Sequence, residues 1–270
     1  MVKIDVCVEP LFPGLPFNKK ILNLSACGYK AVEFWFWDHY FDGQALIPEK
    51  KDIKQLSGIM KDQNMVLVNI VVNSPDGAIG GFLNKPGDRH KYLDRLKETI
   101  EVAGQLGCSQ LITCTGNQLP GMPVEKQVDD VIATLQPAAA IAEKAGMILL
   151  LEPLNTYVDH PGYLVGSSRT GLEIVKQVNN RSFRLLYDIY HMQVMEGNHI
   201  STIRDNIEWI GHFHSAGVPG RDELFKGELN YPNIISEIDK TNYSGYFGLE
   251  YFPAMDSEES LARTKEFLKI

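Results

Sequence analysis

Met147-Ile-Leu-Leu-Leu-Glu152, Phe183-Arg-Leu-Leu-Tyr-Asp188, Trp209-Ile-Gly-His-Phe-His214 and Gly245-Tyr-Phe-Gly-Leu-Glu250 are the four runs that decide the fold. Each is rich in Leu, Ile or aromatic residues and ends on a side chain able to bind a metal. Short apolar runs bounded by loop or helix signals read as parallel strands buried on both faces. Their last residues stand 36, 26 and 36 positions apart, room for one loop, one helix and the next strand. In a closed barrel of such units every C-terminal strand end points to the same mouth. Glu152, Asp188, His214 and Glu250 are therefore expected to converge. Three buried carboxylates repel one another unless a cation neutralises them. The expectation is a divalent-metal site in an α/β protein, a single (β/α)8 TIM barrel spanning residues 1–270.

Working outward, the rest of the chain supplies the remaining units. Strands are expected over residues 2–8, 31–37, 65–72 and 110–115. Helices are expected over residues 17–26, from Pro48 to about Gln63, from Arg89 to Leu106 with Asp88 as N-cap, and over 124–145 with Pro137 kinking it. Ser167 or Ser168 caps a helix to Val178, and residues 190–206 hold a helix interrupted near Gly197. Tyr231–Thr241 is the next helix, and a last one starts at Asp256. Two loops stand out. Residues 73–87 form a long Gly- and Pro-rich connection, and Trp35-Phe-Trp-Asp-His-Tyr-Phe41 is unusually aromatic. The aromatic stretch reads as loop packing first and as a ligand platform second.

Composition narrows the function classes. A 44% hydrophobic content supports a large core, and a net charge of −8 disfavours nucleic acid or an anionic membrane as partner. Cys7, Cys27, Cys108 and Cys114 form no CxxC and read as reduced, apolar side chains. The first residues lack the apolar stretch of a signal peptide, so a cytoplasmic enzyme of small molecules is expected. Sequence leaves a homo-oligomer open.

Oxygen-rich ligation with one imidazole suits Mn²⁺, Mg²⁺ or Co²⁺, with Zn²⁺ an alternative. Such a metal, holding a carbonyl and a neighbouring hydroxyl, acidifies the C–H between them by stabilising the enediolate. Glu152 or Glu250 can remove that proton and either can return it. Return to the neighbouring carbon is isomerisation; return to the opposite face is epimerisation. Arg221 offers a fork for an anionic or hydroxylated substrate end, against a surface pair with Asp222 or Glu223. His191 falls in a mouth loop with substrate contact and a surface role evenly matched. His212 reads as a core histidine one layer below the mouth.

Leu-Glu-Pro-Leu-Asn155, Tyr-Asp188-Ile-Tyr-His191, His-Phe-His214-Ser-Ala-Gly-Val-Pro-Gly-Arg221, Gly227-Glu-Leu-Asn-Tyr-Pro232 and Gly248-Leu-Glu250-Tyr together resemble the xylose isomerase-like TIM-barrel superfamily, and within it the hydroxypyruvate isomerase family. Ala31-Val-Glu33-Phe and Pro86-Gly-Asp-Arg89 extend the resemblance over essentially the whole chain. It implies that Glu152, Asp188, His214 and Glu250 bind the divalent metal, that Glu152 and Glu250 are the acid/base pair, and that His191 and Arg221 touch substrate. In that resemblance hydroxypyruvate isomerases carry glutamine at the position of His214, whereas ketose 3-epimerases carry histidine. The implied activity is that of a hydroxypyruvate isomerase-like enzyme, with a ketose 3-epimerase (tagatose or psicose type) or a 2-oxo-tetronate isomerase as alternatives. A non-catalytic sugar-binding barrel is the reading outside enzymology.

Overall fold

Buried apolar strands alternating with amphipathic helices satisfy their backbone groups best by pairing side by side under a helical cover. The computed structural model, which describes residues 2–269, does this. Its strands are β1 (Lys3–Cys7), β2 (Ala31–Phe34), the hairpin pair β3 (His39–Phe41) and β4 (Leu46–Pro48), β5 (Val66–Val71), β6 (Gln110–Thr113), β7 (Ile148–Leu151), β8 (Phe183–Asp188), β9 (Ile210–Ser215) and β10 (Tyr246–Leu249). All but β3 and β4 close into a parallel barrel in the order β1-β10-β9-β8-β7-β6-β5-β2. This is the expected α/β (β/α)8 barrel.

The covering helices are α1 (Phe17–Ala26), α2 (Ile53–Asp62), α3 (Arg89–Gln105), α4 (Val124–Lys144), α5 (Ser168–Val178), α6 (Ile189–Met195), α7 (His199–Asn206), α8 (Tyr231–Asp239) and α9 (Ser257–Leu268). Ser167 caps α5 by accepting from the Thr170 amide, and Asp256 caps α9 by accepting from the amides of Glu258 and Glu259. Gly197 separates α6 from α7, as its position suggested.

Successive residues of a strand face opposite sides, so Leu149 and Leu151 pack outward in the main core while Leu150 points into the barrel. There Leu150 joins Phe36, Val71, Ile112 and Leu186 in a small interior cluster. The other part of the interior is polar, with Asp5, Glu33, Asn69 and His212 all buried.

Three expectations need correction. Pro48 opens no helix: it ends β4, and the helix begins at Ile53, where Asp52 accepts from the Gln55 amide. The aromatic stretch turns instead into the β3–β4 hairpin, so β2 stops at Phe34 rather than running to Trp37. Asp88 does precede α3, but its side chain makes no cap bond; its Oδ2 accepts from the Phe82 amide at 3.2 Å and ties down the preceding loop.

Candidate metal centre and active site

Parallel pairing sets the site. In the β8–β9 register Asp188 stands beside His214, and in the β9–β10 register His214 stands beside Gly248. The ladder continues past two strand ends. The Glu152 amide donates to Thr113 O and the Glu250 amide to Ser215 O, holding both glutamates at the mouth. Glu152, Asp188, His214 and Glu250 each offer a ligand atom, and these atoms lie within 4.8 Å of one another. All four residues are buried. His214 Nδ1 is 3.3 Å from Glu152 Oε1 and 3.5 Å from Glu250 Oε2, while its Nε2 faces Glu33 Oε1 at 2.9 Å.

The electrostatics follow from burial and crowding. Burial, together with the neighbouring Glu152, pushes the Asp188 carboxyl up to about 7. Burial raises Glu152 as well. At Glu250 burial is outweighed by the Arg221 guanidinium and His214, which hold it at about 2. Glu152 Oε1 and His214 Nδ1 are buried without hydrogen-bond partners. A divalent cation fits this donor set: it would satisfy both orphaned atoms and offset the carboxylate charge. Three carboxylates with one imidazole suit Mn²⁺, Mg²⁺ or Co²⁺.

Arg221 does not pair with Asp222 or Glu223, which face Lys226 instead. Its Nη2 donates to Glu250 Oε2 at 2.7 Å, and its guanidinium lies over the Tyr190 and Phe252 rings. The other Glu250 oxygen accepts from Trp35 Nε1 at 2.7 Å. Glu250 is thus clamped on both oxygens, whereas Glu152 Oε1 accepts no hydrogen bond and only faces His214 Nδ1 at 3.3 Å.

His191 lies in the first turn of α6 rather than in a loop, because Asp188 caps that helix directly at the end of β8, and it is fully buried, which excludes the surface role. Asn155 Oδ1 accepts from the amides of Val158 and Asp159, so its amide nitrogen is the atom 2.7 Å from His191 Nδ1. Nδ1 therefore accepts, and the neutral ring carries its proton on Nε2, 3.5 Å from Asp188 Oδ2. Burial, reinforced by Arg221, keeps this ring neutral.

A cavity of about 210 Å³ opens on these groups, lined among others by Trp35, Glu152, His160, His191, Arg221 and Glu250. Trp35 and His160 were not singled out as site residues from sequence. The density of aromatics around Trp35 was the available signal. His160 gave none, because a histidine in a loop has no periodicity to orient it.

The family model described as Xylose isomerase-like TIM barrel matches residues 21–269. The chain belongs to that family. Among its relatives, the hydroxypyruvate isomerase of Escherichia coli (strain K12) is 28% identical, covering 97% of each chain. The 2-oxo-tetronate isomerase of Pectobacterium atrosepticum is also 28% identical, covering 100% of this chain and 99% of its own. Among solved structures, an AP endonuclease, family 2, from Brucella melitensis superposes with a TM-score of 0.88 at 26% identity, covering 98% of this chain and 99% of the other. A D-allulose 3-epimerase from Methylomonas sp. reaches 0.82 at 18% identity, covering 99% and 97%; at that identity it speaks for the fold alone.

Proposed function

We propose that this protein is a divalent-metal-dependent isomerase of small hydroxy-carbonyl compounds, most similar in activity to hydroxypyruvate isomerase and moving a proton through an enediolate. The isomerase class is supported by relatives named hydroxypyruvate isomerase and 2-oxo-tetronate isomerase, matched over nearly their full length. The observation that carries the metal-dependent reading is the gathering of four ligand atoms of buried residues within 4.8 Å beside a cavity of about 210 Å³.

The metal, when bound at Glu152, Asp188, His214 and Glu250, supplies Lewis-acid polarisation of a substrate carbonyl and its neighbouring hydroxyl. The chain's own residues do the rest. Glu152, whose Oε1 accepts no hydrogen bond and whose pKa is raised by burial, is the proton carrier at the reacting carbon. Glu250, clamped by Trp35 and Arg221, is ionised at rest and is the opposite member of the acid/base pair, the base that accepts a proton from the other side of the reacting carbon. His191 offers an Nε2–H donor to substrate oxygen, and Arg221 presents guanidinium donors to a carboxylate or hydroxyl end. The apolar walls and the buried site limit access of bulk water.

A ketose 3-epimerase is the second reading. His214 favours it, because histidine at this position is the pattern of the epimerases that the sequence resembles. Residues 1–270 act as one catalytic unit in either case, with a small molecule as partner and the cytoplasm as the setting.

Proton-exchange NMR in D₂O with Mn²⁺ or Mg²⁺, over hydroxypyruvate, tetronate-type oxo acids and ketohexoses, tests this. Solvent deuterium entering hydroxypyruvate or its isomer is the expected result. Exchange confined to C3 of a ketose transfers the assignment to the epimerase, and no exchange with any compound overturns both.

A further inference from the structure

Beneath the four candidate ligands lies the polar layer of the barrel interior, and Glu33 is its hub. Glu33 Oε1 is 2.9 Å from His214 Nε2, and Oε2 is 3.2 Å from His212 Nε2, close ion-pair contacts that lack the alignment of a hydrogen bond. Asn69 Nδ2 donates to Glu33 Oε2 at 2.8 Å, fixing the carboxylate from the β5 side. Asp5 closes the layer, with Oδ2 3.9 Å from His212 Nε2. Gly248 makes room for it. A Cβ there would lie 2.9 Å from both Glu33 Oε1 and His214 Cδ2, and 3.0 Å from His212 Nε2.

We propose that Glu33 is a positioning residue of the metal centre: its carboxylate, 2.9 Å from Nε2, keeps the remaining ring proton of His214 on that nitrogen when a metal is bound, and so leaves the Nδ1 lone pair facing the space between Glu152, Asp188 and Glu250. The proposal rests on the metal-binding reading above. A neutral imidazole carries one ring proton, and the partner of one nitrogen decides what the other can do. A carboxylate behind a ligating histidine fixes its tautomer and ring plane and makes the ligand more basic. Here the two nitrogens of His214 divide cleanly, Nε2 toward Glu33 and Nδ1 toward Glu152 and Glu250. Glu33 itself is held away from the cavity, so its part is orientation and not contact with substrate.

The test is Mn²⁺ titration calorimetry on metal-stripped protein, with the melting temperature of each metal-free variant measured alongside. Glu33→Ala is expected to weaken Mn²⁺ binding roughly 10- to 100-fold. Glu33→Gln keeps an oxygen that can accept from Nε2–H and recovers most of that loss. Gly248→Ala, which crowds Glu33 and both imidazoles, weakens binding while leaving Glu33 in the sequence. Wild-type affinity in a folded Glu33→Ala protein overturns the proposal, even if its melting temperature falls. Should Glu33→Ala not fold, wild-type affinity in Gly248→Ala overturns it. Wild-type protein that binds no divalent metal removes the metal reading itself, a different outcome from a wild type that binds and a Glu33→Ala variant that binds equally well.

Discussion

Arg221 Nη2 donates to Glu250 Oε2 across 2.7 Å, inside a site where both residues are largely buried. The arginine reaches this position from a left-handed backbone conformation, φ 56°, next to Gly220 at φ 100°. Non-glycine residues adopt that region sparingly, so the Arg221 turn is held by its surroundings. The Arg221 amide donates to Gly217 O, and Arg221 O accepts from the Phe252 amide.

Removing the guanidinium leaves the Glu250 carboxylate buried without its strongest partner. Arg221→Ala is expected to lower kcat/KM by about 100-fold, in line with about 2–3 kcal/mol for truncating one side of a buried charged pair. If Arg221 also grips a substrate carboxylate, KM rises more for an acidic substrate than for a neutral ketose. Steady-state kinetics on both classes checks this, and equal effects argue against a carboxylate contact.

Glu152→Gln and Glu250→Gln keep shape and remove the proton-accepting charge. Each is expected to cut kcat by at least about 100-fold with the circular-dichroism spectrum unchanged. Wild-type turnover in either variant removes that glutamate from proton transfer.

Divalent metal should stabilise the fold, because the unfolded chain has no preformed cluster. At a free Mn²⁺ concentration about 100 times Kd, linkage adds about 2.7 kcal/mol, visible as a higher melting temperature that EDTA reverses. No shift with Mn²⁺, Mg²⁺, Co²⁺ or Zn²⁺ would count against the centre.

If Asp188 is a metal ligand, metal binding is expected to depend on pH. With its carboxyl pushed up to about 7 by burial, the metal-free site holds a proton below that pH and must release it to bind a cation. Affinity therefore falls as pH drops through 7, and about one more proton is released per Mn²⁺ at pH 6 than at pH 8. Calorimetry in buffers of different ionisation enthalpy counts those protons; equal release at both pH values contradicts the assignment.

Trp35 gives a separable prediction. Trp35→Phe keeps a ring against Phe41 and Phe252 but deletes the indole N–H that holds Glu250 Oε1. A loss of about tenfold in kcat, the order of one hydrogen bond to a charged group, is expected with little change in melting temperature.

The sequence by itself determined the barrel and the meeting of Glu152, Asp188, His214 and Glu250. Strand ends at βα-unit spacing admit one chain geometry, and parallel strands in a closed barrel deliver those ends to one mouth. Helix starts marked by local chemistry were legible too, as at Ser167 and Asp256, because a cap forms within a few residues. The β3–β4 hairpin was not, since the aromatics of residues 35–41 carry no clear period and Pro48 suits a strand edge as well as a helix start. Only the tertiary structure decided the partners of the site: Arg221 reaching past Asp222 and Glu223 to Glu250, Trp35 holding the same carboxylate from 215 residues away, and Glu33 lying behind His214. These contacts depend on which side chains different strands and loops bring to the same depth of the barrel, and residue spacing along one chain does not encode depth between elements.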